Sequence, residues 1–301
     1  MNERKWTHLT AIPPVPAILG GIVSVQAGAA LAKGLFPALG PIGTVGLRVS
    51  LSAMMLLAAF RPWRLGVTTA QWRAVIPYGL VLGVMNIVFY LSLSRIPLAV
   101  AVTVEFVGPL AVAVFGSRRM VDITWVVLAA AGIALIAPWT GGGTDALGVL
   151  LALAAGACWA AYILLGGRLS RLMPGGASVA TGMVIASFVA LPATVATGGF
   201  ARLTVPLFAA GIGVALLSSA IPYTLEMIGL KGLPARTFGI LMSLEPAVAA
   251  LVALVFLHEL LSLRQWLAVA LIIAASTGST LTSRRSAPII GGESGEGWQG
   301  G

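Results

Sequence analysis

The sequence predicts an all-α integral membrane protein with ten transmembrane helices arranged as two inverted five-helix repeats. Three observations predict this fold: the composition, the length of the apolar segments, and a proline spacing that occurs in both halves. Of the 301 residues, 58% are hydrophobic and 9% are charged, whereas soluble domains have about 25% charged residues. The mean hydropathy of +1.01 agrees. The chain is therefore expected to cross a lipid bilayer several times.

Ten apolar segments are long enough to be considered as spans, since a helix needs about 20 apolar residues to cross the hydrocarbon. Gly, Pro or charged residues separate them, as expected for short turns. The first segment has no small-residue cleavage site and is therefore interpreted as a retained helix. The predicted spans are 15–36, 43–60, 75–94, 97–115, 123–140, 147–166, 177–197, 205–227, 234–256 and 265–283. Residues 1–14 form an N-terminal tail, and the Gly- and Ser-rich residues 284–301 predict a disordered tail.

The distribution of Lys and Arg predicts the orientation, because cytoplasmic loops collect these residues. With a cytoplasmic N-terminus, the outer loops receive only Arg95, Arg202 and Arg264. The inner face receives twelve: Arg4, Lys5, Arg61, Arg64, Arg73, Arg118, Arg119, Arg168, Arg171, Lys231, Arg284 and Arg285. Both termini are therefore predicted to be cytoplasmic. The net charge of +9 is explained by topology, and no nucleic-acid partner is expected.

The two halves of the chain share a proline spacing. Pro97 and Pro109 are twelve residues apart, as are Pro234 and Pro246, and GPLAVAV after the first pair resembles EPAVAAL after the second. Each half holds five predicted spans, so a duplication would place the second half upside down relative to the first. Inverted repeats are typical of transporters, whose substrate binds where the repeats meet. The predicted repeats are residues 15–140 and 147–283.

The sequence has few features that are typical of an enzyme. Cys158 is the only cysteine, and the two histidines, His8 and His258, are far apart. There is no P-loop and no G-x-S-x-G motif. No metal or other cofactor is expected. Without a nucleotide-binding motif, any uphill transport must use an ion gradient.

Glu105 and Glu245 lie near the middle of predicted spans and are the strongest candidates for proton coupling. A charged side chain at the bilayer centre costs roughly 2.5–3.5 kcal/mol, so such residues usually face a protein-lined cavity. Burial disfavours the carboxylate, so either glutamate could take up and release a proton as the site opens to alternating sides. The alternative is a structural glutamate that is neutralised by a fixed partner or stays protonated.

Glu226 belongs to a polar stripe near the inner end of the eighth predicted span. Helical spacing puts Ser219, Tyr223 and Glu226 on one face. Arg236 lies across a short hairpin and is a better partner for Glu226 than for Glu245. These residues could therefore contact substrate or form a structural ion pair at an inner gate.

The other candidates for a cavity wall are polar or aromatic pairs at helical spacing. Lys33 and Arg48 lie near outer ends of their spans, where cations often extend to the interface. Aromatic pairs at this spacing also occur in ordinary packing. The pairs are Gln26 with Lys33, Asn86 with Tyr90, and Trp159 with Tyr162.

Several stretches in combination resemble the threonine and homoserine exporters of the EamA-type branch of the drug/metabolite transporter superfamily. They include QAGAALAKGLFPALG, MNIVFYLS, VEFVGPLAVAVFGSRRMVD, GACWAAYIL, IPYTLEMIGL and LPARTFGILMSLEPAVAA. The resemblance runs from about Gln26 to Thr282. It implies a ten-helix fold of two inverted EamA repeats and export of small neutral amino acids from the cytoplasm by proton antiport. Separately, a composition rich in Ala, Gly and Arg with few Lys favours a bacterial plasma membrane. The chain departs where the family commonly has Gly-Glu after the ninth helix and here has His258 and Glu259.

The resemblance implies a cavity built from the first, third, fourth, sixth, eighth and ninth helices. A zwitterionic amino acid needs a carboxylate for its ammonium, which Glu105 or Glu245 could supply. Its own carboxylate needs donors, and Tyr223, Asn86, Lys33 or Arg236 could supply them. A carrier for another metabolite or drug is a second interpretation. A membrane enzyme or sensor that binds without translocating is a third, and the sequence leaves the oligomeric state open.

Overall fold

The computed structural model describes residues 12–115, 120–136, 145–233 and 235–282, and these residues are helical with short connections. No strand occurs within these ranges. Most of the two predicted tails lies outside them. The helices are α1 Pro14–Phe60, α2 Thr69–Leu93, α3 Leu98–Glu105, α4 Val107–Phe115, α5 Met120–Ile136, α6 Ala146–Leu169, α7 Gly175–Ala196, α8 Val205–Ala215, α9 Ile221–Gly232, α10 Ala235–Met242, α11 Glu245–Leu257 and α12 Leu263–Thr282. A π-helical turn, Leu216–Ala220, joins α8 to α9.

Seven helical segments in the described part of the chain are long and apolar enough to cross a membrane. The sequence predicts ten spans, and two features explain the difference. The helix α1 contains both of the first two predicted spans, and the spans at 97–115 and 123–140 correspond to the shorter apolar helices Leu98–Val112 and Ile123–Leu135. Residues 137–140 of the latter span lie outside the described residues. The structure thus has the expected all-helical, multi-pass character.

Gly40 interrupts the 47-residue helix α1 between the two predicted spans. Its φ of 69° and ψ of 167° lie outside the helical region, and this positive φ favours glycine because a side chain would clash there. Pro37 and Pro41 flank the interruption, and each lacks the N–H that a continuous helix requires. The backbone therefore leaves helical geometry at this point.

Proline residues also interrupt the two helical segments that carry the central glutamates. Pro109 has no N–H to donate to the carbonyl of Glu105, and α3 ends at that residue before α4 begins at Val107. Pro246 likewise leaves the carbonyl of Met242 without its helical donor, and α10 ends there. Irregular backbone at membrane depth is tolerated where protein or a cavity surrounds it. Each of these two breaks thus lies at a carbonyl whose helical donor is replaced by proline.

The π-helical turn and Pro222 leave two carbonyl groups free, and both have hydrogen-bond partners on α1. The N–H of Ile221 donates to the carbonyl of Leu216, five residues back, instead of to that of Leu217. The hydroxyl of Ser24 donates to the Leu217 carbonyl at 2.8 Å. Pro222 cannot donate to the Ser218 carbonyl, which instead lies 3.5 Å from a terminal nitrogen of Arg48. The turn is therefore fixed against α1.

Helices from the two halves of the chain pack against each other. The helix α1 contacts α7, α8, α9 and α11, while α2 contacts α6 and α7. The helix α3 contacts α6 and α11, and α5 packs on α12. This arrangement brings parts of α1, α2, α3, α6 and α11 around one interior space together with the π-helical turn.

Candidate functional site

A cavity of about 150 Å³ lies within the helical bundle, and its wall includes two carboxyls and a guanidinium. It is lined by Val25, Gln26, Ala29, Arg48, Met85, Asn86, Phe89, Tyr90, Val102, Glu105, Trp159, Ser218 and Glu245. We call it the central cavity. Ionisable residues within membrane spans usually face such a cavity and have a function. The wall combines these charged groups with apolar side chains that can enclose a small molecule.

The two central glutamates, Glu105 and Glu245, are both buried and both line the central cavity. The side-chain amide of Gln26 donates to Oε1 of Glu245 at 3.2 Å. The other carboxyl oxygen, Oε2, is buried without a hydrogen-bond partner among the described residues. Buried polar atoms are usually paired, so this oxygen is available to a ligand or a proton.

Arg48 supplies the positive charge of the central cavity. A terminal nitrogen donates to Oδ1 of Asn86 at 2.6 Å, and the guanidinium carbon lies 5.5 Å from the centre of the Tyr90 ring. The amide of Asn86 donates in turn to the carbonyl of Leu82 at 2.8 Å. These contacts fix the guanidinium against α2 by a hydrogen bond and a cation–π interaction.

Trp159 closes another side of the central cavity from α6. Its ring meets Phe106 edge to face with centroids 5.6 Å apart. One turn earlier on α6, Gly156 lies directly against the backbone of Glu105, so that an added Cβ would be 2.6 Å from the Glu105 carbonyl oxygen. The absence of a side chain at Gly156 therefore allows the two helices to approach and brings Trp159 near Glu105.

A second polar cluster contains Tyr78, Tyr162, Tyr223 and Glu226, which do not line the central cavity. The Tyr78 hydroxyl donates to the Tyr162 hydroxyl at 2.9 Å, and the two rings stack with centroids 4.8 Å apart. Tyr223 and Glu226 are close enough to interact electrostatically with Tyr162. Ser219 lies within the π-helical turn and is hydrogen-bonded to Ser52 at 2.8 Å.

Lys33 lies in an ion pair outside the central cavity. Its ammonium contacts Oε1 of Glu259 and donates to the carbonyl of Ile96 at 3.1 Å. The other oxygen of Glu259 accepts from the backbone N–H of Leu98 at 2.8 Å. His258 precedes Glu259 with a φ of 54°, a conformation that glycine adopts more readily. This network joins α1 to the start of α3 and the end of α11.

The structure divides the predicted site residues into groups. Six line the central cavity: Gln26, Asn86, Tyr90, Glu105, Trp159 and Glu245. Tyr162, Tyr223 and Glu226 belong to the second cluster. Lys33 pairs with Glu259, and the side chain of Arg236 lies outside what the structure describes. The proposed pairing of Glu226 with Arg236 thus stays a prediction.

Arg48 and Ser218 line the central cavity but are absent from the predicted set. An arginine within an apolar span is a signal for such a role, but Arg48 was interpreted as interfacial from its position near the predicted outer end. Its actual place depends on Gly40, which separates the two parts of α1, and on contacts with α2 and the π-helical turn. Ser218 has no comparable signal, because serines are common in helix packing.

Comparison with known proteins identifies close relatives of the whole chain. The model of the EamA-like transporter family matches residues 146–281. "Threonine/homoserine exporter RhtA" of Salmonella typhimurium (strain SL1344) and that of Escherichia coli (strain K12) are each 48% identical over 278 residues. Each match covers 92% of this chain and 94% of the relative. "Uncharacterized transporter YwfM" of Bacillus subtilis (strain 168) is 28% identical over 73% of this chain and 77% of the relative.

A solved crystal structure has the same general fold, with a TM-score of 0.58 and 22% sequence identity. The match covers 90% of this chain and 99% of that chain. The high identity to the exporters extends over both halves of the sequence, including the part before residue 146. The fold, the buried ionisable groups and these relatives agree, and the chain belongs to the EamA-like transporter family.

Proposed function

We propose that this protein exports small neutral amino acids, threonine and homoserine among them, across a bacterial plasma membrane by proton antiport. The observation that carries the proposal is the central cavity, where Glu105 and Glu245 face the same small space as Arg48. A zwitterionic amino acid carries one group of each sign. The choice of threonine and homoserine follows the names of the relatives that are 48% identical to the chain.

Proton coupling is assigned to Glu105 and Glu245. Burial disfavours an ionised carboxyl, and a substrate ammonium favours it. Proton and ammonium therefore compete for the same group. Protonation from the outside displaces the amino acid, and loss of the proton to the cytoplasm prepares the carrier for the next substrate molecule.

The proposed architecture has ten membrane crossings in two inverted repeats. The break at Gly40 divides α1 into two crossings, and the segments Leu98–Val112 and Ile123–Leu135 add two to the six other long segments. The helix contacts support this arrangement. A repeat of five crossings makes the first crossing equivalent to the sixth and the third equivalent to the eighth. The first crossing contacts the eighth, and the sixth contacts the third, as this equivalence predicts.

The orientation proposed here places both termini in the cytoplasm. Twelve of the eighteen Lys and Arg residues then lie on the inner face and three lie outside. This distribution follows the preference of cytoplasmic loops for positive charge. The second polar cluster then lies on the cytoplasmic side of the central cavity, where Tyr223 and Glu226 can contribute to an inner gate or contact the amino acid as it enters.

The first test is efflux of preloaded threonine or homoserine from vesicles that contain the protein, with and without an imposed pH gradient. We expect gradient-driven efflux by the wild type and its loss in Glu105→Gln or Glu245→Gln, because the amide cannot carry the proton. Asp145→Asn is a matched control, since Asp145 is a carboxyl residue outside the central cavity. Expression and detergent stability should stay unchanged in the glutamine variants.

Other outcomes would identify the alternatives. Efflux at the same rate with and without a pH gradient would indicate a facilitator in which the glutamates are structural. Absence of flux for both amino acids would favour a carrier for another metabolite. Turnover of a bound compound without flux would favour the enzyme, and binding without flux would favour the sensor.

A further inference from the structure

Arg48 is a half-buried cation that has no carboxylate within ion-pair distance in the described part of the chain. The ion pairs there are Lys33 with Glu259 and Arg95 with Asp145. Arg48 contacts the neutral oxygens of Asn86 and Ser218, and its Nε atom is buried without a hydrogen-bond partner. A guanidinium offers five N–H donors. Its remaining donors and its positive charge can be satisfied by an anion in the cavity.

The same cavity wall has further polar atoms without partners among the described residues. They are the Tyr90 hydroxyl, the Ser218 hydroxyl and Oε2 of Glu245. The first two can donate to an anion, and Oε2 can accept from a cation. Donors near Arg48 and a free carboxyl oxygen of Glu245 thus occupy one cavity of about 150 Å³. This pattern is complementary to the carboxylate and ammonium of a single α-amino acid.

We propose that Arg48 binds the α-carboxylate of the transported amino acid and thereby makes a free carboxylate a requirement for transport. This inference rests on the proposed function and adds the substrate feature that the protein selects. The two carboxyls that share the cavity disfavour a dianion such as a phosphate ester by repulsion. The hydrogen bond to Asn86 and the ring of Tyr90 hold the guanidinium in place, so that binding requires little reorganisation.

The substrate-side test needs no mutation. In counterflow experiments with labelled threonine in proteoliposomes, unlabelled L-threonine is compared with L-threoninol, in which CH₂OH replaces the carboxylate. Threoninol keeps the ammonium and the side-chain hydroxyl. We expect it to compete about 10- to 100-fold more weakly, because hydrogen bonds to charged groups contribute about 1.5–3 kcal/mol. Equal competition by the two compounds would overturn the proposal.

The protein-side test uses Arg48→Gln, with Arg61→Gln as the matched control because Arg61 is exposed outside the cavity. We expect Arg48→Gln to raise the KM for threonine and to bring the ratio of threonine to threoninol competition close to one. A purely structural role would lower the amount of folded protein and leave this ratio unchanged. Wild-type selectivity in folded Arg48→Gln would therefore contradict the proposal.

A binding measurement separates failure of this inference from failure of the proposed function. Absence of threonine and homoserine flux in the wild type would refute the proposed substrates. Thermal stabilisation of the detergent-solubilised protein is then measured with other L-amino acids and their amino alcohols. Stabilisation only by compounds with a free carboxylate, if it is lost in Arg48→Gln and kept in Arg61→Gln, would support the assignment of Arg48 as the residue that binds the α-carboxylate. Equal stabilisation by amino alcohols, or none by any amino acid, would overturn it.

Discussion

Burial distinguishes the two ion pairs of the described residues. The side chains of Lys33 and Glu259 are 23% and 16% exposed, whereas those of Arg95 and Asp145 are 43% and 36% exposed. Glu259 also accepts from the N–H of Leu98 at 2.8 Å. Loss of Glu259 would leave both a lysine and a backbone donor without this partner, whereas solvent can replace the partner of Arg95. The first pair should therefore contribute more to stability.

We expect Glu259→Ala to lower the stability of the protein by roughly 1–3 kcal/mol, the usual cost of leaving buried polar groups unpaired. Asp145→Asn is the control and should have no measurable effect, because exposed ion pairs often contribute nothing measurable. The measurement is the thermal unfolding midpoint in detergent at neutral pH. Equal midpoints for Glu259→Ala and the wild type would contradict the expected contribution.

The ion pair of Arg95 with Asp145 also predicts the sign of a small effect of pH on the stability of the protein. The hydrogen bond from Arg95 holds the pKa of the Asp145 carboxyl below its usual range. Any stability from this pair is present above the pKa of the unfolded chain and is lost as the pH falls through the lowered pKa of the folded protein. Because the side chains of this pair are 43% and 36% exposed, solvent screens this interaction.

Interrupted helices and a close helix crossing build the central cavity at the scale of elements. Prolines end α3 and α10 near the two glutamates, and Pro222 leaves free the carbonyl of Ser218 that contacts Arg48. The crossing of α6 with α3 and α4 depends on glycines, since an added Cβ at Gly156 would approach the Glu105 carbonyl to 2.6 Å. The backbone there has little room to move.

We expect Gly156→Ala to destabilise the protein by about 1–3 kcal/mol through overpacking, which outweighs the gain of about 1 kcal/mol that alanine gives a helix. Gly167→Ala is the matched control on α6, because nothing lies within 4 Å of its added Cβ. The thermal midpoint in detergent should fall only for Gly156→Ala. A fall of the same size for both variants would show that the crossing is not the cause.

The whole molecule brings the two halves of the chain together at the central cavity. Gln26 and Glu105 come from the first half, and Ser218 and Glu245 come from the second. The hydrogen bond between Gln26 and Glu245 spans 219 positions in sequence. The proposed alternating access requires the two halves to move relative to each other. Such a movement would change the distances between groups from different halves, such as Gln26 and Glu245.

The orientation gives a prediction at this scale. In a Cys158→Ser background, a cysteine at Ala201 should react with a membrane-impermeant maleimide in intact cells, because the loop after α7 is expected outside. A cysteine at Ala70, at the start of α2, should react only after permeabilisation. Both positions are exposed, so accessibility within the protein does not explain a difference. The reverse labelling pattern would invert the topology.

The sequence by itself determined the all-helical membrane class, the transporter family and six of the residues that line the central cavity. These features depend on local hydrophobicity, on charge within an apolar segment and on motifs that are continuous in the chain. Glu105 and Glu245 could be identified as site candidates from the sequence because a carboxyl at mid-membrane is energetically costly and usually has a function. The effect of Pro109 and Pro246 on the helices is also local, since a missing N–H is a property of the residue itself.

Only the tertiary structure decided which polar residues share one space. It placed Arg48 in the cavity wall, paired Lys33 with Glu259, and separated Tyr162, Tyr223 and Glu226 into a second cluster. These outcomes depend on the break at Gly40, on a π-helical turn that changes which residues share a helix face, and on contacts between distant helices. The helical period predicts which residues share one face of a helix. Packing between helices determines which residues or cavity that face contacts.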